Sequence, residues 1–215
     1  MKTETGNQPG NFTEMWPGSS KSFPWNELLA AIPSTIFLVT GFKKNGKPNA
    51  SLQSWSTFFA DSGEFLCLMG SVRKTTHLYQ SLIKTKECVL NFPNAEIYDK
   101  CYSTIDHNGF DEDEITASGL TIESAKKVNA PRILECFLNM ECEYFWEKEN
   151  FESSPHVTVC LHVKHIAMDP EYSDETKLGR YGKSGYIYNI HQPYSPETGE
   201  KYGTWLGAIK KHSKQ

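Results

Sequence analysis

The stretch "GSVRKTTHLYQSLIKTKECVLNF", residues 70–92, joins a charged turn, an amphipathic helix and a strand. In its middle, apolar side chains recur at helical spacing, at Leu78, Tyr79, Leu82 and Ile83. This spacing predicts a helix with one buried face. Thr75 or Thr76 can cap the helix, because a hydroxyl accepts a hydrogen bond from a free N–H of the first turn. The run "ECVLNF" at 87–92 then predicts a strand that ends before Pro93.

Cations and hydroxyls crowd the turn before this helix. They are Ser71, Arg73, Lys74, Thr75 and Thr76. A helix N-terminus carries unpaired N–H groups and the positive end of the helix dipole. Adding positive charge and hydroxyl donors there produces a site suited to a phosphate group. The alternative is a capped helix with ordinary surface cations, and the sequence leaves both interpretations open.

Strand patterns surround this stretch on both sides. Six segments rich in β-branched and aromatic residues predict strands at 34–42, 50–60, 64–70, 87–92, 134–147 and 156–169. The Asn45-Gly46 pair and the Asp61–Gly63 segment predict hairpin turns. Few helices separate the strands, so the pattern predicts a mainly β protein, an antiparallel barrel with a few flanking helices. We expect a polar arm at 1–22, a single domain at 23–190 and a tail at 191–215.

Composition excludes several classes of function. The 215 residues carry a formal net charge of −4 with no long basic block, which argues against a nucleic-acid-binding surface. No apolar run approaches the ~20 residues of a membrane span, and the polar N-terminus lacks an apolar signal core. The six cysteines form no C-x-x-C pair and stand mostly in apolar runs, which predicts buried thiols in a reducing cytoplasm. The acidic run at 111–114 is most simply a solvated surface.

A second group of polar residues lies in "NASLQSWSTF", residues 49–58. Gln53, Ser54 and Ser56 surround Trp55 on a predicted strand, where backbone groups could face a flat heterocycle. An ordinary two-faced strand is the simpler interpretation. In "CLHVKH", strand alternation points Cys160 and His162 away from His165, so no metal site is predicted.

The order of these pieces resembles a known family. Residues 48–93 are similar to the core of the flavin reductase-like family of FMN-binding split barrels, to which flavoredoxins belong. The segment "ITASGLTIESAKKVNAPRILECFLNMEC" at 115–142 resembles its second block, and "PHVTVCLHVKHI" at 155–166 its late strand. The segment "GRYGKSGY" at 179–186 resembles its closing element.

The resemblance implies a six-stranded Greek-key barrel that binds FMN, usually as a homodimer with the flavin near the subunit interface. The residues expected to hold the FMN phosphate are Ser71, Arg73, Lys74 and Thr75. Those expected to line the isoalloxazine, largely through backbone groups, are Gln53, Ser54, Trp55 and Ser56. Asn91 would make either a ribityl contact or a structural bond. His156 matches the late-strand histidine and Arg180 the closing arginine, and these two are the candidate catalytic residues.

The implied reaction is hydride transfer from NADH or NADPH to the flavin, with electrons passing on to a small-molecule or protein acceptor. This chemistry requires no acid or base residue, so the lack of a G-x-S-x-G or similar motif is no objection. Two alternatives stay open. The protein could carry electrons from a partner without turning over NAD(P)H, or it could bind FMN or another ligand without turnover.

Overall fold

The computed structural model describes residues 32–173, 185–190 and 205–208. Within them the strands are β1 (Ser34–Thr35), β2 (Phe37–Phe42), β3 (Pro48–Gln53), β4 (Ser56–Asp61), β5 (Glu64–Arg73), β6 (Glu87–Phe92), β7 (Ile122–Ser124), β8 (Pro131–Ile133), β9 (Leu138–Glu149), β10 (His156–Met168), β11 (Ile187–Ile190) and β12 (Trp205–Ala208). The helices are α1 (His77–Thr85), α2 (Tyr98–Ser103), α3 (Glu114–Ala117) and α4 (Pro170–Ser173). Two short 3-10 helices cover Ala95–Ile97 and Thr104–His107.

Seven strands form one antiparallel sheet in the order β3-β2-β6-β9-β10-β5-β4. Its two edge strands, β3 and β4, follow each other in the chain and are joined only by Ser54 and Trp55. Laid flat, six interstrand spacings would separate the edges by about 29 Å. The link from Gln53 to Ser56 can span at most about 11 Å. The sheet must therefore curl until its edges approach each other, which produces a split barrel.

The structure confirms the mainly β, antiparallel split barrel but corrects the number of strands. The single strand predicted at 50–60 is two strands, which lie at opposite edges of the sheet. Ser54 and Trp55 match no common hairpin signal such as Asn-Gly, so the local sequence did not indicate the bend between the two strands. The short pair β7 and β8 was also not predicted.

Helix α1 forms as its apolar pattern predicts. Leu78 and Leu82 are buried in the main core, together with residues from the inner face of the barrel. That core includes a cluster of three aromatic rings, Phe37, Phe58 and Phe92, with centroids 5.3–5.8 Å apart. The helix thus packs against the sheet and holds the turn that precedes it in a fixed place.

The acidic run at 111–114 is not uniformly solvated, which corrects the sequence interpretation. Glu114 is buried and its Oε1 lies 2.8 Å from Nζ of Lys43, which is also buried. The Lys43 ammonium donates further hydrogen bonds to the carbonyls of Gly109 and Glu112, at 2.6 and 2.9 Å. A buried ammonium needs a counter-charge, and Lys43, the residue after β2, is a lysine that no local pattern connects with this run.

All six cysteines are buried free thiols, as the sequence predicts. Burial raises the pKa of the Cys67 thiol well above its usual range, and it does the same for Cys136 and Cys142. The reactive species of a cysteine is the thiolate. These side chains therefore behave as small apolar groups in the core.

The chain divides into two compact units, residues 1–34 with 188–207 and residues 35–187 with 208–215. The larger unit contains the seven-stranded sheet, and most of a three-stranded sheet of β1, β11 and β12 belongs to the smaller one. The predicted arm at 1–22 lies outside the described residues, as does all of the predicted tail except 205–208. Across the described ranges, no helix has the length and apolar character needed to cross a membrane.

Candidate functional site

The two polar segments singled out in the sequence lie side by side. Strand β4 pairs with β5, with Ser56 opposite Met69. Beyond this pair the Gly70 N–H donates to the Trp55 carbonyl at 3.0 Å. A Cβ at Gly70 would stand 3.1 Å from that carbonyl oxygen, closer than most side chains tolerate. Glycine therefore allows the segment at 53–56 to approach the charged turn.

The charged turn begins with a strained backbone. Ser71 has φ 54°, in the left-handed region that a residue with a Cβ rarely adopts. Such a conformation costs roughly 1–2 kcal/mol. Strain of this kind is found preferentially at ligand sites, where the surrounding structure holds it in place. We call residues 71–76, the last three residues of β5 and the turn that follows them, the phosphate turn, after the role that the sequence predicts for them.

Thr76 is the helix cap. Its Oγ1 accepts a hydrogen bond from the Tyr79 N–H at 3.3 Å and donates one to the Arg73 carbonyl at 2.8 Å. The side chains of Ser71, Arg73 and Thr75 are exposed around it. The capping interpretation is thus correct for Thr76, and the other polar groups of the turn still face solvent at a helix N-terminus.

Lys74 is tied to the hairpin between β9 and β10. Its N–H donates to the Pro155 carbonyl at 3.0 Å, and its ammonium forms an ion pair with Glu149. The hydrogen bond and the charge of Lys74 lower the pKa of the Glu149 carboxyl. The sequence did not indicate this carboxylate, because 75 positions separate the two residues.

His156 lies next to the phosphate turn. It stands opposite Arg73 where β10 pairs with β5. Burial lowers the pKa of His156, and the positive charge of Arg73 lowers it further. Both effects favour the neutral imidazole. Arg180, the other catalytic candidate, lies outside the described residues.

Asn91 lies in the core and not at the turn. Its Nδ2 donates to Thr40 Oγ1 at 3.0 Å and to the Val89 carbonyl at 3.1 Å. Its Oδ1 accepts from the Ile133 N–H and from Asn139 Nδ2, both at 2.9 Å. Both ends of the amide are satisfied by protein groups, which supports the structural bond over a ribityl contact.

His77, the first residue of α1, is a further polar group that the sequence did not single out. Its Nδ1 is buried without a hydrogen-bond partner, 3.7 Å from Oε1 of Glu114. The buried pair of Lys43 and Glu114 therefore lies next to the first residue of α1, which follows the phosphate turn. No spacing rule links β2, α1 and α3, so only the fold could show this contact.

The residues present suit a ligand that has one phosphate and a flat ring system. The phosphate turn provides a cation, hydroxyls and a helix N-terminus, the combination that binds an anion. Trp55, 37% exposed, lies on the adjoining link and provides an aromatic surface. The hydrogen bond from the Gly70 N–H to the Trp55 carbonyl holds these two parts together, and the glycine allows their close approach.

Comparisons with known proteins bear on the fold and the family of this chain. The chain matches a protein of Methanothermobacter thermautotrophicus with 27% identity over 142 residues, which is 65% of this chain and 66% of that relative. Component B of nitrilotriacetate monooxygenase from Bacillus cereus has a TM-score of 0.75 and 17% identity, over 96% of this chain and 100% of that one. Flavoredoxin of Desulfovibrio vulgaris has a TM-score of 0.64 and 17% identity, and the match covers 86% of this chain and 91% of the flavoredoxin.

These structural matches show a shared fold. The decisive comparison is with the family profile described as "Flavin reductase like domain", which matches residues 29–186, most of the chain. The protein therefore belongs to the flavin reductase-like domain family.

Proposed function

We propose that this protein is an FMN-binding oxidoreductase that takes electrons from NADH or NADPH and passes them to a small-molecule or protein acceptor in the cytoplasm. The observation that carries the proposal is the hydrogen bond between the Trp55 carbonyl and the N–H of Gly70, the residue before the phosphate turn, at 3.0 Å from nitrogen to oxygen. This backbone contact joins the residue before the phosphate turn to Trp55, whose side chain is partly exposed, and so supports a ligand that spans both segments. Family membership supports a flavin as the ligand, and a single short turn at one helix N-terminus supports FMN, with its one phosphate, over FAD.

Each part of the site has a role in this proposal. Ser71, Arg73, Lys74 and Thr75 would hold the phosphate, while the segment at 53–56 would line the ring system. Bound flavin supplies the redox chemistry. The chain itself binds and orients its ligands, and such positioning can account for much of the catalysis.

His156 would act at the edge of the site through its position beside Arg73. Burial and the charge of Arg73 lower the pKa of His156, so its imidazole contributes little positive charge toward the phosphate. It can still donate or accept one hydrogen bond. The alternative function, an electron carrier that does not turn over NAD(P)H, uses the same flavin site and differs only at the nicotinamide side.

The purified protein is expected to be yellow, or to become so on titration with FMN. Flavin released by denaturation should be identified as FMN by chromatography, and NADH or NADPH should bleach the bound flavin without oxygen. Photoreduction that works when both nicotinamides fail would favour the electron-carrier alternative. A colourless protein that takes up no FMN would contradict the proposal.

We further propose a homodimer that packs through the outer face of the sheet. Phe59, Phe145 and Trp146 are 39%, 58% and 41% exposed there. Phe59 pairs with Leu66, Leu66 with His162, and the His162 ring lies 6.1 Å from that of Phe145. Aromatic side chains on one exposed face are typical of a protein interface.

Light scattering is expected to give twice the chain mass of 24.4 kDa. Phe145→Glu should shift the protein toward the monomer, because it places a charge in the centre of the apolar face. The far-UV circular dichroism spectrum should stay unchanged. A wild-type monomer at high concentration would reject the dimer.

A further inference from the structure

We propose that Glu149 sets the affinity and the phosphate selectivity of the site by competing with the ligand's phosphate for the Lys74 ammonium. The inference rests on the proposed function and adds a residue that neither the family resemblance nor the sequence pattern assigned. Glu149 is then a specificity-determining residue. It discriminates between a phosphorylated flavin and one without the phosphate.

The geometry places this carboxylate at the phosphate turn. Glu149 ends β9 and stands opposite Val157 on β10. The preceding residue of β10, His156, stands opposite Arg73. The last residue of β9 thus lies close to the turn, and its carboxylate binds the lysine that the sequence assigned to the phosphate.

Lys74 makes one backbone hydrogen bond and one side-chain ion pair, and only the ion pair can be exchanged for a ligand. Its N–H bond to the Pro155 carbonyl fixes the backbone of the turn and leaves the side chain free to change partner. The side-chain pair is accessible to solvent, since Lys74 is 33% and Glu149 47% exposed. An exposed ion pair of this kind is weak. An incoming phosphate can therefore displace the carboxylate without any rearrangement of the backbone.

The charges explain why a phosphate can displace the Glu149 carboxylate from Lys74, and why Glu149 still weakens the binding of that phosphate. A phosphate monoester carries about −1.5 to −2 charges at pH 7 and offers three acceptor oxygens. A carboxylate carries one charge and two oxygens. After displacement the Glu149 charge stays beside the bound phosphate and repels it, while the charges of Arg73 and Lys74 attract it. Glu149 thus weakens binding of the phosphorylated ligand and favours its exchange.

The test is a double-mutant cycle that measures the dissociation constants of FMN and riboflavin by flavin fluorescence. Glu149→Gln keeps the shape of the side chain and removes its charge. It is expected to tighten FMN binding about 2–5-fold, the range of an exposed ion pair. Riboflavin affinity should not change. In a Lys74→Met background the effect of Glu149→Gln on FMN should be much smaller, and in high salt it should shrink.

Glu152→Gln is the matched control, because Glu152 is an exposed carboxylate in the same hairpin. If it tightens FMN binding as much as Glu149→Gln does, the effect is one of net charge and the inference is wrong. Unchanged or weaker FMN binding by Glu149→Gln also overturns it, while leaving the proposed function intact. A wild-type protein that binds neither flavin overturns the proposed function itself.

Discussion

Glu114→Gln is expected to lower the free energy of unfolding by about 3–5 kcal/mol, the cost of leaving one member of a buried ion pair without its partner. The Lys43 ammonium is only 1% exposed and its counter-charge lies 2.8 Å away. Glutamine keeps the shape of the side chain, and its carbonyl can still accept the Ala50 N–H that Oε2 accepts at 2.8 Å. The loss is therefore electrostatic and does not come from a cavity.

Urea unfolding followed by circular dichroism measures this effect. The double variant Lys43→Met with Glu114→Gln should lose less stability than Glu114→Gln alone, because it leaves no uncompensated buried charge. Lys44→Met, which changes an exposed neighbour, should stay within about 0.5 kcal/mol of wild type. A loss below about 1 kcal/mol for Glu114→Gln would show that solvent reaches Lys43.

Arg73→Ala is expected to weaken FMN binding ten-fold or more. A hydrogen bond between charged groups is worth about 1.5–3 kcal/mol, and about 1.4 kcal/mol corresponds to a factor of ten. Riboflavin has no phosphate, so its affinity should hardly change. Lys74→Ala should have a smaller effect, because an ammonium makes no bidentate contact and because Glu149 already competes for it.

Titration of both flavins against wild type and variants decides the role of the turn. Lys84→Ala is the matched control, since Lys84 is an exposed cation in the last turn of the same helix. Equal losses for FMN and riboflavin would indicate general damage to the fold. Unchanged affinity for both would mean that the turn is only a capped helix with surface cations.

The sequence alone was sufficient to predict those structural features that depend only on residues close together in the chain. Helix α1 and its cap at Thr76 follow from apolar spacing and from one hydroxyl. Strands β5, β6 and β10 follow from runs of β-branched and aromatic residues. In each case the backbone geometry of a short segment dictates which side chains share a face.

The sequence also indicated the two halves of the candidate site, but not how they meet. The resemblance pointed to both segments, yet the strand predicted across 50–60 is broken at Ser54 and Trp55. That break sends β4 to the far edge of the sheet, where it pairs with β5. Only through this pairing does Trp55 reach Gly70.

The partners of the charged residues depend on the tertiary structure alone. The sequence pattern predicts that Glu114 belongs to a solvated acidic run, yet the structure buries it against Lys43. In the sequence, Glu149 is one of several carboxylates in β9, yet in the structure it forms an ion pair with Lys74. Local pattern determined the strands, the helix and the chemistry of the turn in this protein, because short-range backbone geometry governs them. The order of strands in the closed sheet decided which distant charges became neighbours, because that order sets the distances over which ion pairs act.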